Sequence, residues 1–330
     1  MVYDASCGEM GDMESKRSDG SVSAFEFFEM VPDEATAIAI IEKRRWPHRV
    51  ICPHCGNTRT SPISDRHVHQ CNSRGCRKQF SVRTNTIFEN SRVPLRKWLY
   101  AIYLFQTARK GVSSVQMSKE LGVAQRTAWF MLHRLREAYD VDAPPLSGTV
   151  EVDETYVGGK EKNRHARKKK KLGTGTVGKT PVFGMRQRDG QLRAMPIPNT
   201  KTETFEDTIQ QNIKNGSVVY TDEHSGYRNL NENYDHESIR HSRGEYVRGE
   251  AHTNGIESVW ASLKRGHYGV YHHWSEKHMH RYVNEVEFRF NEGSSQNSII
   301  DRIYATLDLA FGKTLTYKEL TADLPTGLAN

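Results

Sequence analysis

Residues 149–159 read TVEVDETYVGG, and this stretch decides the fold of the second half of the chain. Apolar and polar residues alternate along it, which predicts a half-buried strand of about nine residues. Successive side chains of a strand point to opposite faces, so Glu151 and Asp153 share one face and Val150 and Val152 the other. The strand therefore presents two acids on one face.

The segments after this strand predict a mixed α/β domain. A hairpin with an Asp-Gly turn is expected in 181–197, a helix in 203–216 and a short buried strand in 218–222. Two further helices are expected, one from about Asn254 and one over 276–291. This order of elements is that of a mixed α/β domain rather than a barrel of repeated βα units.

A helical segment and a linker precede the strand. Residues 94–139 have helical periodicity, with a turn at Leu121-Gly122-Val123 and a second helix from about Gln125. This pattern favours a DNA-binding helix-turn-helix, in which Arg126 and its neighbours would face the major groove. The alternative is a plain helical hairpin in a bundle. Residues 141–148, VDAPPLSG, are expected to form a linker.

The cysteines predict a metal centre rather than a disulfide scaffold. Four of the five fall within 25 residues, as the pairs Cys52 with Cys55 and Cys71 with Cys76. Four thiolates at this spacing can bind one structural Zn²⁺ tetrahedrally, and the metal would supply the folding free energy of so small a module. Two alternatives are four unconnected thiols or a redox pair, and a shell in which one cysteine is replaced by His54, His67 or His69. Cys7 is expected to have no role.

Charge is distributed unevenly along the 330 residues. The chain has 47 Lys and Arg against 40 Asp and Glu, a net charge of +7, yet residues 1–34 carry −7 and the remaining body +14. Such a body suits a polyanionic partner, although an ordinary basic enzyme can have the same charge.

The N-terminal 22 residues lack an apolar period and are expected to be disordered. One helix is expected in 23–46. No apolar run approaches the roughly 18 residues of a membrane-spanning helix, and no signal peptide is evident, so a soluble intracellular protein is expected.

Three acids lie where a metal-dependent phosphodiester site is easily built. Asp222 ends a buried strand, and Glu257 lies in a helix with Lys264 two turns later on the same face. The first strand supplies either Glu151 or Asp153, and strand parity leaves that choice open. Three such carboxylates can hold two Mg²⁺ or Mn²⁺ ions about 3.5 to 4 Å apart. Taken singly, each acid is more typical of an ordinary surface charge.

Several side chains are expected to contact DNA. The run 160–171 has eight Lys or Arg in twelve positions, and its Lys168 and Lys169 would follow a DNA backbone, unless the run is only a solvated loop. The other expected contacts are Lys264, Arg265, Asn254 and Arg126. DNA contact or surface exposure, and not metal ligation, is expected of His252, His267, His272 and His273.

Five segments together resemble one protein family. They are CPHCGN (52–57), CRKQFSVRTNTIFENSRVPLRKWLYAIYLF (76–105), VEVDETYVGG (150–159), VYTDEHSGY (219–227) and HTNGIESVWASLKRG (252–266). In this order they are similar to the DDE transposases of bacterial insertion sequences, in the subgroup with a zinc ribbon ahead of the catalytic domain. The resemblance covers about residues 25–320.

The resemblance implies a ribonuclease-H-like catalytic domain in an α/β chain. It implies that Asp153, and not Glu151, joins Asp222 and Glu257 in the triad that binds Mg²⁺. The steps of 35 positions from Asp222 to Glu257 and of seven from there to Lys264 are as these transposases have them. The implied chemistry is hydrolysis at a transposon end, which frees a 3′-hydroxyl, followed by attack of that hydroxyl on target DNA.

The implied partners are double-stranded DNA, at the terminal inverted repeats and at the target, and further copies of the chain when two ends are paired. The implied location is the bacterial cytoplasm, with the nucleoid. Two alternatives stay open, a metal-dependent DNA nuclease on the same fold and a domesticated, inactive transposase that acts as a DNA-binding regulator.

The sequence predicts six regions. They are a disordered acidic N-terminus (1–22), a leading helix and zinc ribbon (23–90), a helix-turn-helix region (91–140), a linker (141–148), the ribonuclease-H-like catalytic domain (149–310) and a C-terminal tail (311–330).

Overall fold

The computed structural model of the chain describes residues 13–14, 17–63, 66–159, 175–188, 190–239, 247, 252–293 and 297–322. These residues form two compact units. The first is built from 1–109, 114–139 and 295–320, and the second from 110–113, 140–294 and 321–330, in both cases as far as they are described.

The first unit is a helical body with a small three-stranded sheet. Its helices are α1 (Ala24–Met30), α2 (Glu34–Arg45), α3 (Leu95–Thr107), α4 (Ser114–Leu121), α5 (Gln125–Ala138), α9 (Ile299–Ala310) and α10 (Tyr317–Thr321). Its strands are β1 (Thr60–Ile63), β2 (Val68–Cys71) and β3 (Gln79–Phe80), paired antiparallel in that order.

The single helix expected in 23–46 is two helices in the structure. α1 ends at Met30, and α2 begins after Asp33, whose carboxylate accepts the backbone N–H of Thr36 at 2.8 Å. Pro32 between them has no N–H to continue the first helix, and the residue before a proline avoids helical backbone angles. The prediction of one helix is therefore wrong at this point.

Helix α9 belongs to the first unit, although the sequence analysis assigned 149–310 to the catalytic domain. It packs against α2, α3 and α5. Buried polar contacts support this packing, since the amide of Gln106 donates to Thr306 Oγ1 at 2.7 Å and to Tyr139 Oη at 3.0 Å. The apolar stripe of α9 has its partners in the N-terminal helices, and sequence periodicity cannot reveal the partner of a stripe.

The segment ahead of α1 also packs on this unit where it is described. Met13 and Val22 are buried, and the hydroxyl of Tyr103 donates to the Val22 carbonyl at 2.9 Å. The backbone N–H of Ile299 donates to the Gly20 carbonyl oxygen at 3.2 Å. The predicted disorder of 1–22 therefore does not hold for these residues.

Helices α4 and α5 are joined by a short turn at the position that the sequence predicts. Gly122 lies between them with φ of +60°, a left-handed conformation that favours glycine. The inner face of α5 is buried, as its apolar spacing predicts, at Ala128, Met131, Leu132 and Leu135. Arg136 and His133 are buried on the same helix.

The second unit is built on a five-stranded mixed sheet. Its strands are β4 (Thr149–Val157), β5 (Thr180–Gln187), β6 (Leu192–Pro196), β7 (Val218–Asp222) and β8 (Asp235–Ile239), and its helices are α6 (Thr202–Asn212), α7 (Asn254–Gly266) and α8 (Met279–Glu292). The order across the sheet is β6-β5-β4-β7-β8. The first three strands are antiparallel, and β4, β7 and β8 are parallel to one another. This is the mixed α/β, ribonuclease-H-like architecture that the resemblance implies.

The sheet separates two apolar cores. One face carries Val150, Val152 and Phe183 and packs with α6, while the other carries Val157 and Val182 and packs with α7 and α8. Strand β8 was not predicted, because its sequence DHESI has a single apolar residue, at its end, and so has no apolar alternation. None of the helices in the described residues is long and apolar enough to cross a membrane.

Helix α8 covers the free edge of the sheet at β6. The carboxylate of Glu287 accepts the Ala194 N–H at 3.0 Å, and Asn291, one turn later, accepts the Leu192 N–H at 2.7 Å and donates to the Leu192 carbonyl at 3.0 Å. These side chains form hydrogen bonds with backbone groups of β6 that could otherwise pair with another strand. Burial raises the pKa of Glu287 to about 7, and Asp140 adds a smaller repulsion.

We predict that Glu287→Gln stabilises the fold at high pH. The folded pKa lies above the ordinary value of 4.5, so stability is highest below that value and falls as the pH rises through about 7. Glutamine keeps an acceptor for the Ala194 N–H and removes the charge. Urea unfolding should show a gain of about 1 to 3 kcal/mol near pH 8 and little change near pH 5. The exposed Glu276→Gln is the matched control, and a loss of stability at both pH values in Glu287→Gln would contradict the prediction.

Candidate active site and zinc centre

The four predicted cysteines converge on one point in the first unit. The Sγ atoms of Cys52 and Cys76 lie 3.8 Å apart, and those of Cys55 and Cys71 lie 3.6 Å apart. A disulfide needs about 2.05 Å, whereas a tetrahedron with Zn–S bonds of about 2.3 Å has edges of about 3.8 Å. The geometry therefore fits a tetrahedral Zn²⁺ and not a disulfide.

Local backbone turns bring the two cysteine pairs together. Gly56, with φ of +71°, follows the first pair, and Arg77, with φ of +53°, follows the second. Among the described residues, these cysteines are the one set of three or more His, Cys, Asp or Glu whose ligand atoms all lie within 4.8 Å of one another. No histidine replaces a cysteine in this set. His69 instead lies 3.2 Å from the Glu42 carboxylate and stacks on Phe80.

Asp153 lies on β4, on the sheet face that packs against α7. Its carboxylate accepts the indole N–H of Trp260 at 2.9 Å. Gly184 on β5 is directly opposite Asp153, and a Cβ there would lie 2.5 Å from the Trp260 ring. The glycine therefore makes the space in which the indole reaches the carboxylate.

The pKa of Asp153 is raised to about 8. The first cause is burial, followed by repulsion from the carboxylates of Glu154 and Asp222. Ionised carboxylates crowded in a buried site repel one another, and a divalent cation among them offsets that repulsion. The electrostatics of the site therefore favour a bound cation.

Asp222 is the last residue of β7, the parallel neighbour of β4. Glu151 pairs with Tyr220, so Asp153 and Asp222 each lie two residues further along their strands. The Asp222 carboxylate accepts the backbone N–H of His224 at 2.9 Å, which orders the turn after the strand. The structure thus brings Asp153 and Asp222 together at the same end of two adjacent strands.

Glu154 is a fourth acid at this end of the sheet, and the sequence analysis did not single it out. It points to the face opposite Asp153, where the buried hydroxyl of Tyr227 donates to it at 2.7 Å. His224 Nδ1 accepts the Gly226 N–H at 3.0 Å, so a neutral ring carries its proton on Nε2, which lies 3.9 Å from the Glu154 carboxylate. Burial raises the pKa of Glu154, while the hydrogen bond from Tyr227 lowers it.

The signal for Glu154 was present as two consecutive acids in a strand. Neighbouring residues of a strand point to opposite faces, so only Asp153 shares a face with Glu151. The prediction considered the acids of that face and therefore left out Glu154. The Tyr227 contact depends on the turn after β7 and has no sequence signature.

Glu257 lies in the first turn of α7 and is exposed. Its carboxylate accepts a hydrogen bond from Thr253 Oγ1 at 3.2 Å. Trp260, three residues later, neighbours Glu257 on the helix surface and contacts Asp153. Glu257 therefore borders the same region, although the oxygens of Asp153, Asp222 and Glu257 are not gathered as tightly as the described cysteine sulfurs.

The carboxylate of Glu151 is buried and connects β4 to the start of α7. Its side chain is 2% exposed, and its carboxylate accepts the backbone N–H of Ile256 at 3.0 Å and the Arg188 Nε–H at 3.3 Å. A Cβ on Gly255 would lie 2.5 Å from this carboxylate. Glu151 thus anchors the N-terminus of α7 to the sheet.

The expected DNA-contacting residues have different surroundings. Lys264, Arg265 and Asn254 are exposed on α7. The guanidinium of Arg126 lies 4.5 Å from the centre of the Tyr317 ring and donates to its hydroxyl at 3.0 Å, so α10 orients this side chain. Lys168 and Lys169, with the rest of the run 160–171, lie outside the described residues.

Comparisons with known proteins agree with both parts of the molecule. Residues 145–291 match the family model of the ISXO2-like transposase domain, and residues 32–79 match that of the transposase zinc-ribbon domain. A protein of the transposable element ISH50 from Halobacterium salinarum is 31% identical over 246 residues, which are 70% of this chain and 82% of that protein. A transposase-like protein from Haemophilus influenzae is 32% identical over 110 residues, 32% of this chain and 88% of that protein.

The two matched segments coincide with the cysteine centre and with the sheet that carries Asp153 and Asp222. The relative from Halobacterium salinarum is 31% identical over most of the length of both chains. On this evidence the chain belongs to the DDE transposases of insertion sequences that combine an N-terminal zinc ribbon with an ISXO2-like transposase domain.

Proposed function

We propose that this transposase binds the terminal inverted repeats of its element and catalyses DNA cleavage and strand transfer with Asp153, Asp222 and Glu257. The observation that carries the proposal is the position of Asp153 and Asp222 at the same end of two adjacent parallel strands, with the pKa of Asp153 raised to about 8. Such crowding has a cost in a protein without a cation, and hard oxygen donors are the ligands that Mg²⁺ and Mn²⁺ prefer.

The triad would hold two Mg²⁺ or Mn²⁺ ions. When bound, they supply activation of the attacking oxygen and stabilisation of the leaving oxygen of a phosphodiester. Asp153 is fixed for this role by the indole N–H of Trp260, and Asp222 by the backbone N–H of His224. Glu257 approaches from α7, whose first turn is held by Glu151. Fixed ligands of this kind lower the reorganisation that catalysis requires.

The first unit would hold the transposon end. Arg74, Arg77 and Lys78 are exposed on the second cysteine turn, where they suit contacts with DNA phosphates. Arg83 serves the fold instead, because it donates to the carbonyls of Ser91 and Val93. In the helix-turn-helix, the exposed start of α5 is the surface suited to the major groove. Multimers are proposed because two ends must be joined.

We predict that Asp153→Asn abolishes the chemistry and preserves DNA binding. Loss of one metal-binding carboxylate should lower the cleavage rate on the order of a thousandfold. The assay is cleavage and joining of a labelled duplex that carries the terminal repeat, with Mg²⁺, beside a mobility-shift measurement. Asp235→Asn is the matched control, since Asp235 is an exposed acid of β8 and its substitution should leave both readouts unchanged.

The same assay separates the alternative functions. A protein that cuts without joining is a nuclease, and one that binds the repeat without cutting in any divalent cation is a regulator. Cleavage by Asp153→Asn at the native rate would contradict the proposed triad.

We predict that the ribbon depends on its zinc. Cys71 is completely buried, and Cys71→Ser should lower the zinc content, from about one ion per chain, because a structural site needs all four ligands. Chelation should open the segment 50–83 to proteases, since metal binding supplies the folding free energy of a module with so small a core. Metal analysis and limited proteolysis measure both effects. Cys7→Ser is the control, and full zinc content in Cys71→Ser would refute the assignment.

A further inference from the structure

A cavity of about 520 Å³ lies beside the C-terminal end of α7 in the second unit. Its lining is basic and aromatic, and consists of Lys110, Lys264, Arg265, Tyr268, Gly269 and Val270. Of these residues, the sequence analysis and the proposed function use only Lys264 and Arg265. The cavity is therefore a feature that the triad does not explain.

Close backbone contacts bring Lys110 to this end of α7. A Cβ on Gly266 would lie 3.2 Å from the Lys110 carbonyl oxygen. Gly111 has φ of +92°, and a Cβ there would lie 1.9 Å from the hydroxyl oxygen of Tyr271. Tyr271 is itself held by its hydrogen bond to Glu285, at 2.6 Å. Two glycines thus allow a separate segment to add its lysine to the cavity.

Among the described residues, no acid forms an ion pair with any of the three cations of the cavity. In the described part of the chain, neither Lys110 nor Lys264 forms an ion pair, and Arg265 donates to the neutral Ser262 Oγ at 2.9 Å. Cations at a helix C-terminus interact well with the helix dipole, which accounts for Lys264 and Arg265. It does not account for Lys110, which comes from another segment. A polyanion in the cavity would satisfy all three charges.

Tyr268 adds an aromatic surface to these charges. Its side chain is 52% exposed, which is unusual for so large an apolar ring. The ring of the buried His267 lies edge-on to it, with centroids 4.9 Å apart, and Trp274 supports His267 at the same distance. The segment His267–Tyr271 is a single π-helical turn, a rare conformation that is frequent at functional sites.

We infer that this cavity binds an unpaired DNA strand, with a base stacked on Tyr268 and the neighbouring phosphates on Lys110, Lys264 and Arg265. Cationic grooves with exposed aromatic rings are the usual means of binding single strands, because every base has a stacking face and every nucleotide a phosphate. A base inside a duplex is already stacked, so the ring selects an opened end.

This inference rests on the proposed function, because cleavage at the triad would supply the unpaired DNA strand. Glu257 and Lys264 are seven residues apart on one helix, which is about 10 Å along its axis. That distance is about three nucleotide steps of B-form DNA. A strand cut at the triad would thus reach the cavity within a few nucleotides.

The test compares the full-length protein on two DNA probes. One is a blunt duplex that carries the terminal repeat, and the other is the same duplex with a short single-stranded overhang that contains 2-aminopurine. Tyr268→Ala should bind the overhang probe about tenfold more weakly and lose the quenching of 2-aminopurine fluorescence that stacking produces. Tyr268→Phe should retain both, and Phe25→Ala, at a ring that is 85% exposed, should behave as the native protein.

Each outcome bears on one idea. Equal binding and quenching by Tyr268→Ala and the native protein would overturn the inference, and so would a Tyr268→Phe that behaves like Tyr268→Ala. In both cases, retained binding of the blunt repeat leaves the proposed function intact. Binding of the overhang through Tyr268 without any binding of the repeat would overturn the proposed function and support the inference.

Discussion

The hydrogen bond from the Ile256 N–H to the buried Glu151 carboxylate joins the two elements on which the candidate site depends. It fixes the N-terminus of α7, which carries Glu257, to β4, which carries Asp153. A buried carboxylate is costly unless its charge is compensated. Here Arg188 and the positive end of the α7 dipole compensate it. Gly255 is needed at the contact because a side chain there would collide with the carboxylate.

The cysteine centre and the candidate active site differ in how closely the protein alone brings the proposed ligands together. In the ribbon, the four cysteine sulfurs already lie within 4.8 Å of one another, and two of the distances between them, 3.8 and 3.6 Å, fit the edges of a tetrahedron around Zn²⁺. In the candidate active site, burial, with repulsion from Glu154 and Asp222, raises the pKa of Asp153, whereas Glu257 is exposed. Neutral thiols can approach one another at little cost, while ionised carboxylates repel. The difference follows from the chemistry of the ligands.

The sequence predicted the elements with strong local signals and missed those that depend on distant partners. The nine-residue strand β4, the hairpin and the apolar stripe of α7 were predicted within a few residues, because alternation and helical spacing are local. Strand β8 has little apolar content, and the packing of α9 with α3 depends on residues about 200 positions apart, as in the contact between Gln106 and Thr306. The choice between Glu151 and Asp153 rests on the resemblance, because both residues lie on the same face of β4 and strand parity cannot separate them.

Helix α7 concentrates the functional groups of the second unit in 13 residues. Its first turn receives Glu151 and presents Glu257, its middle supplies the indole for Asp153, and its last turn carries Lys264 and Arg265 of the cavity. A helix moves as a rigid body, so these groups keep their mutual spacing. Their position relative to the sheet depends on how α7 packs against it. At Gly184 the helix lies too close to the sheet for a larger residue, because a Cβ there would lie 2.5 Å from the Trp260 ring. Such a substitution would push back the indole that donates to Asp153, so the packing of α7 on the sheet also sets the surroundings of that carboxylate.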